Sequence, residues 1–237
     1  MAVPSGDLLA MTMMIGSSVP PLEAGDRLSR AEFERRYAAM PHLKKAELIE
    51  GVVYMASAVR LRAHGEPHSL VMTWLGVYRA STPGVRTADN TSLRLDGDNE
   101  PQPDAMLFVD PACGGRVNLS EDDYVEGAPE LIVEVASSSA SYDRHDKLRA
   151  YRRNGVQEYL LWLVQEARIE WYALTEGEYR LLDADSEGVV HSRVCPGLCL
   201  TIPAVLADGL SIVLERLQRC LQTPEHEAFV ARLRPSA

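Results

Sequence analysis

A carboxylate in the middle of an apolar strand is the first sign of chemistry in this sequence. Residues 131–135 read Leu-Ile-Val-Glu-Val, a run whose length and apolar character suit a buried strand. Side chains alternate between the faces of a strand, so Glu134 shares a face with Ile132 and Ala136 and points at whatever covers the sheet. A second acid, Asp104, opens the run Asp-Ala-Met-Leu-Phe-Val at 104–109 and shares its face with Met106 and Phe108. Carboxylates on apolar strands are costly unless paired, hydrogen-bonded or bound to a cation. Lys147 follows in the helical stretch 144–155, one turn before Tyr151 and at the edge of the apolar stripe that Leu148 and Tyr151 define. A strand-to-helix crossover can fold its ammonium back over both acids. Hard oxygen ligands on strands suit Mg²⁺ or Mn²⁺. An adjacent ammonium can hold an attacking water or stabilise charge growing on a phosphate.

Each residue has a plainer reading by itself. Asp104 follows Pro103 and suits a turn, Glu134 could be purely structural, and Lys147 could be a solvated helix charge. The conjunction of carboxylate, carboxylate and amine on strand, strand and following helix is what points to chemistry. Other motifs are weaker. Cys195 and Cys199 in Cys-Pro-Gly-Leu-Cys, with His191 nearby, have a metal-like spacing, but no second pair completes a zinc pattern. Cys113-Gly-Gly-Arg lacks the Lys-Ser/Thr of a phosphate loop. The serines at 137–139 and 141 lack the context of a nucleophile elbow.

The surrounding elements must position the three residues. Ser29 with Glu32 forms a capping-box pattern for a short helix, with Leu28 able to staple onto Phe33. Residues 46–56 read as two strands joined at Glu50-Gly51. Apolar residues at 70, 71, 74, 75 and 78 predict a helix over 66–81 that Pro83-Gly84 ends. Strands are expected at 85–96 and 103–110, a loop at 110–127, then the Glu134 strand, the Lys147 helix ending at Gly155, and a strand from 158 to 164. A hairpin across 175–177 and closing helices over 202–222 and 224–233 complete the chain. Hairpins mixed with one strand-helix-strand crossover predict an α/β or α+β fold with a mixed central β-sheet flanked by helices. The expected division is a flexible leader over 1–27, one domain over 28–200, and a helical extension over 201–237 packed on it.

The chain has 237 residues, of which 46% are hydrophobic and 24% charged, ordinary values for a globular protein. No apolar run reaches the roughly 20 residues that span a bilayer, so no membrane association is expected. The leader has no basic segment ahead of its apolar stretch and reads as a flexible tail rather than a signal peptide. Four cysteines in a chain of this length do not suggest a disulfide scaffold, and a cytoplasmic location is the expectation. A formal net charge of −10 argues against a surface coated in cations for nonspecific nucleic-acid binding. It leaves room for a local basic groove and fits a site built from carboxylates.

The segments Ala46–Ser57, His64–Tyr78, Pro101–Asp110 and Gly127–Val164 together resemble the Uma-two family of PD-(D/E)XK, restriction endonuclease-like proteins. The resemblance runs from about residue 28 to 175. The family's Pro-Asp falls on Pro103-Asp104 and its acidic strand residue on Glu134. Its Glu-Leu-Ile segment falls on Glu47 to Gly51, with Glu50 expected as an extra acid. Ala136 stands where the superfamily's usual lysine would be, and Lys147 is the matching amine on the helix. What this implies is metal-dependent hydrolysis of phosphodiester bonds in DNA, by a homodimer, which the apolar, Trp-rich strands at 158–164 and 169–174 also suggest as a pairing surface. Asp104, Glu134 and the Val135 backbone carbonyl would hold Mg²⁺ or Mn²⁺, with Lys147 orienting the nucleophile and Glu50, His64 and Tyr151 in support. Tyr151 is expected to hydrogen-bond a phosphate or, somewhat more readily, to pack, and His64 either to meet phosphate at a helix start or to serve as a surface or cap residue. Two other classes stay open: a noncatalytic binding or assembly module on a nuclease fold, and a hydrolase of RNA or another phosphodiester.

Overall fold

The computed structural model describes residues 19–55, 58–137 and 142–233. Its strands are β1 (Ala46–Ile49), β2 (Val52–Met55), β3 (Val85–Asp89), β4 (Leu93–Arg94), β5 (Ala105–Val109), β6 (Asn118–Leu119), β7 (Val125–Glu126), β8 (Leu131–Ala136), β9 (Glu158–Leu163), β10 (Arg168–Thr175), β11 (Glu178–Leu181), β12 (Val189–His191) and β13 (Cys199–Thr201). The α-helices are α1 (Arg30–Ala38), α2 (Glu66–Ser81), α3 (Leu148–Arg153), α4 (Ile202–Leu206), α5 (Leu210–Cys220) and α6 (Pro224–Arg232). Six strands form the central sheet in the order β11-β10-β9-β8-β5-β3. Its ladders are antiparallel except β8 with β9, which run parallel. Parallel neighbours need a crossover, and the helical segment ending in α3 supplies it. The fold is the mixed sheet flanked by helices that the sequence predicts.

Both faces of the sheet are covered, which explains why β8 is apolar on both sides. On one face Leu131, Val133 and Val135 pack with Trp74 and Leu75 of α2 and Leu217 of α5. On the other, Met106, Phe108, Ile132 and Ala136 pack with Tyr151 of α3 and Tyr159 of β9. Glu134 belongs to this second face, beneath α3. Trp74 anchors the first core: it is fully buried, meets Trp171 edge-on at 5.8 Å, and donates its indole N–H to the Cys199 carbonyl at 2.9 Å.

Helix boundaries follow local chemistry. The Ser29 hydroxyl caps α1 by accepting from the Glu32 N–H. The Glu32 carboxylate turns to Arg35 and Arg36 instead of completing the box. Helix α2 spans the predicted 66–81 and closes with the Thr82 hydroxyl donating to the Tyr78 carbonyl at 2.8 Å. A wide π-helical turn precedes α2 at Leu61–Gly65, and another precedes α3 at Asp143–Lys147.

Several expectations need correction. The single strand expected over 85–96 breaks at Asn90, whose φ of +46° turns the chain, so β3 and β4 enter different sheets. Part of the expected leader is structured. Gly25 donates to the Val53 carbonyl, Val53 donates back to Asp26, and Leu22 is buried, so residues 22–27 dock on β2. The closing helix expected over 202–222 divides at Asp208-Gly209 into α4 and α5. Trp162 and Trp171, read as a dimer surface, are buried in the chain's own core. Cys199 and Cys220, which the cysteine count did not pair, form a disulfide between β13 and α5 across 21 residues.

That bond sets a prediction. Closing a loop of this size stabilises a fold by about 3 kcal/mol in the chain-entropy view. Reductant should therefore lower the melting midpoint by several degrees, and Cys220→Ser should melt low with or without reductant. Equal midpoints for oxidised and reduced wild type would mean that the two sulfurs are not joined in solution.

Candidate active site

Strand register brings the two acids together. Ala105 of β5 pairs with Val133 of β8, and one step further Asp104 stands across from Glu134. The Val135 N–H donates to Asp104 Oδ2 at 2.8 Å, and the Asp104 N–H points to Glu134 Oε2 at 3.5 Å. The apolar neighbours that make Glu134 conspicuous in sequence also bury it, to 2% exposure.

Lys147 completes the cluster. Its Nζ lies 2.8 Å from Glu134 Oε1, 2.8 Å from Glu47 Oε1 and 3.5 Å from Asp143 Oδ1. The turn at 143–147 sets Asp143 and Lys147 on one side, so the ammonium faces inward at 2% exposure. Tyr151, one helical turn on, donates its hydroxyl to Glu134 Oε1 at 2.7 Å. The phenol is buried and committed to that carboxylate. It orients that carboxylate, a contact beyond the packing favoured for it.

The extra acid from the first hairpin is Glu47, and Glu50 stands apart. Glu50 occupies the turn with φ of +51° and pairs with Arg153 at 3.2 Å. Glu47 sits within β1, accepts from the Gln102 N–H at 2.8 Å, and receives the Tyr142 hydroxyl at 3.4 Å. The reason is parity: β1 turns Glu47 towards the sheet, whereas the turn carries Glu50 past its end. The signal was available, because Glu47 lies between apolar Ala46 and Leu48 just as Glu134 lies between valines.

Asp104 has two further partners at the mouth. His64 Nε2 is 3.1 Å from its Oδ2, and Lys45 Nζ is 3.4 Å from its Oδ1. His64 stands one residue before the end of the wide turn that precedes α2, and that turn delivers its ring to the acid. His68 Nε2 lies 2.9 Å from the Asp104 carbonyl oxygen and 3.1 Å from Asp89. Lys45, Asp143 and Tyr142 were not singled out in the sequence. Lys45 carries no periodic or burial signal there, and its role comes only from the chain's path into β1. These groups line a cleft of about 860 Å³ that opens beside the Val135 end of β8.

The electrostatics divide the two strand acids. Burial pushes Asp104 up, but the His64 hydrogen bond and the charges of Lys45 and Lys147 outweigh it and hold the carboxyl well below its usual range. Burial pushes Glu134 up to about 8, and Asp104, Asp143 and Glu47 add to the rise against the opposing pull of Lys147. Burial works against charge on Lys147 too, yet Glu134 and Glu47 overcome it and keep the amine protonated well above its ordinary range. Three buried carboxylates thus share one buried ammonium, with Asp104 beside them. Carboxylate oxygens on neighbouring strands, opening on a cleft, are the kind of hard donor that a divalent cation takes. Zinc at the cysteines does not fit. His191, Cys199 and Cys220 offer ligand atoms within 4.8 Å of one another, but the two sulfurs are spent in the disulfide. Cys195 is buried elsewhere in the first core.

No match is found among curated proteins. A solved structure described as a "putative nuclease belonging to DUF820", from Anabaena variabilis, superposes with a TM-score of 0.57 at 17% identity, covering 73% of this chain and 96% of the other. At that identity the likeness establishes the fold. The family model described as "Putative restriction endonuclease" matches residues 30–203, a span that contains every residue of the cluster. The chain belongs to this family, Uma2.

Proposed function

We propose that the protein is an Mg²⁺- or Mn²⁺-dependent endonuclease that hydrolyses phosphodiester bonds in DNA. The observation that carries this reading is the convergence of Lys147 on Glu134 and Glu47 beside Asp104 in one cleft. Asp104, Glu134 and the Val135 carbonyl would hold the cation. When bound, it would lower the pKa of a water and polarise the scissile phosphate.

The chain's own groups do the rest. A lysine held protonated cannot take a proton from water. Lys147 instead donates, orienting the attacking oxygen or meeting the negative charge that grows on the phosphate. Glu47 and Tyr151 are positioning residues, the first holding the Lys147 ammonium and the second the Glu134 carboxylate. Lys45 and His64 stand at the mouth where a phosphate would enter. Among the described residues no helix is long and apolar enough to cross a membrane. A reducing compartment such as the cytoplasm would hold Cys199 and Cys220 as thiols, and an oxidising one would lock them. Cutting both strands of a duplex needs two sites, which a twofold dimer would supply. Light scattering that finds only monomer at micromolar concentration would count against that part of the reading.

The first test is cleavage. With Mg²⁺ or Mn²⁺ the protein should nick or cut DNA, and EDTA should stop it. Lys147→Ala should lower the rate by about 10²–10³ while calorimetry still finds the metal bound. Glu47→Gln should reduce the rate and Glu50→Gln should leave it unchanged. Metal binding without cleavage of DNA, RNA or simple diesters would instead favour a binding module.

A second test reads the charge on Glu134 directly. Its folded-state pKa of about 8 lies above the ordinary 4.5. Between those values the folded chain holds a proton that the unfolded chain has lost, so this group lowers stability as pH rises. Without metal, Glu134→Gln should therefore raise the melting midpoint at pH 8, by roughly 2–4 °C for each kcal/mol regained. The gain should shrink towards zero as the pH falls below about 4.5, where the carboxyl is protonated in both folded and unfolded chains. A Gln variant less stable than wild type at pH 8 would identify Glu134 as a structural ion-pair partner instead.

A further inference from the structure

We infer that the segment Val59–Arg62 is a lip that grips duplex DNA beside the cleft, with Arg60 and Arg62 on the backbone phosphates and Val59 and Leu61 as an aliphatic wedge against the base stack. This inference rests on the nuclease reading and names the form of substrate that the site takes.

The segment alternates Val-Arg-Leu-Arg, and all four residues are exposed. Val59 and Leu61, at 71% and 68%, are the most exposed large hydrophobic residues among the described ones. Two aliphatic side chains this exposed, two residues apart beside a cleft, call for a partner. Val59 and Arg60 line the cleft itself, as do Ala63 and His64 just beyond them. The lip is tethered at its far end. The N–H groups of His64 and Gly65 both donate to the Arg60 carbonyl, at 3.0 and 3.2 Å, and His64 reaches Asp104. Anything held by the lip is therefore held in fixed relation to the two acids.

Many arginines of the molecule are tied to carboxylates: Arg94 to Glu34, Asp122 and Glu126, Arg144 to Glu166, and Arg153 to Glu50 and Asp96. Arg60 and Arg62 have no carboxylate partner among the described residues. Lys45, paired with Asp104 at 3.4 Å and with Asn90 at 3.0 Å, stands at the same cleft. In a chain of net charge −10, two arginines without a carboxylate partner beside one mouth are the local basic surface that a polyanion needs. The apolar pair decides which polyanion. Proteins that carry single strands use aromatic platforms on which bases stack, whereas inserted aliphatic side chains pry apart the steps of a duplex. The exposed part of the lip has aliphatic residues and no aromatic one.

The test uses the full-length chain. Binding is measured by fluorescence anisotropy on duplex and single-stranded oligonucleotides, with Glu134→Gln present so that the strand stays intact. Chemistry is measured separately, on otherwise wild-type protein, as Mn²⁺-dependent hydrolysis of bis(p-nitrophenyl) phosphate, which has no duplex for the lip to grip. Arg60→Ala with Arg62→Ala should weaken duplex binding about tenfold or more and make the log K against log salt plot shallower by about 2. Hydrolysis of the small diester should stay unchanged. A 2-aminopurine placed in the duplex should brighten on binding, and Leu61→Ser with Val59→Ser should remove that signal. Unchanged duplex affinity and salt slope in the arginine variant would overturn the inference. So would a parallel loss of small-diester hydrolysis, which would mean that the segment only shapes the cleft. Tighter binding of single strands than of duplex would overturn the wedge. If the wild type hydrolyses neither DNA nor the small diester while duplex binding still depends on the arginines, the nuclease reading falls and the lip stands.

Discussion

One buried ammonium holds this site together. Lys147 meets Glu134 of β8, Glu47 of the first hairpin and Asp143 of its own turn. Those acids come from parts of the chain far apart in sequence, and nothing apolar could join them there. An unpaired buried charge costs several kcal/mol, so each partner needs the others in place. The arrangement constrains what surrounds it. The Gln102 N–H holds Glu47, and the Leu48–Glu100 backbone pair carries the chain past β1 so that it can. The crossover must return α3 over the sheet so that Tyr151 can reach Glu134.

The two strand acids face the same cleft and yet differ in character. Asp104 looks outward to His64 and Lys45 and keeps its charge; Glu134 looks inward among other acids and resists charge. Neighbouring titratable groups whose environments push them apart are suited to different roles. Here Asp104 is a standing anion and Glu134 an adjustable one, whose ionisation depends on how much positive charge is near.

Much of this was legible in the sequence, for definite reasons. Glu134 and Asp104 announced themselves because a carboxylate between apolar strand residues violates the ordinary cost of burial. Helix α2 was legible because Leu70, Val71, Trp74, Leu75 and Tyr78 share one helical stripe. Glu47 carried the same signal as Glu134, but the adjoining Glu50-Gly51 turn drew attention one turn too far. Lys45 was illegible because its position depends on tertiary placement alone. The Cys199–Cys220 bond was hidden for a similar reason: the sequence shows spacing along the chain, and these sulfurs meet only when α5 folds back onto β13. Residues 22–27 looked like a tail because they lack periodicity, and they are ordered by backbone pairing with β2 that needs no side-chain pattern.

The two wide turns, Leu61–Gly65 and Asp143–Lys147, each sit at the start of a helix and each present a polar side chain to the cleft, His64 in one and Lys147 in the other. A π-helical turn holds one residue more than an α-helix would. Loss of a single residue from either segment could be absorbed as an ordinary helical turn, with the sheet and both cores intact. The side chain would then swing by about 100° around the helix axis and leave the acids behind. Descent within such a family can therefore keep the architecture while discarding the chemistry in one codon deletion. The length of these two short segments, more than the presence of any single acid, is what a reader of related sequences should count.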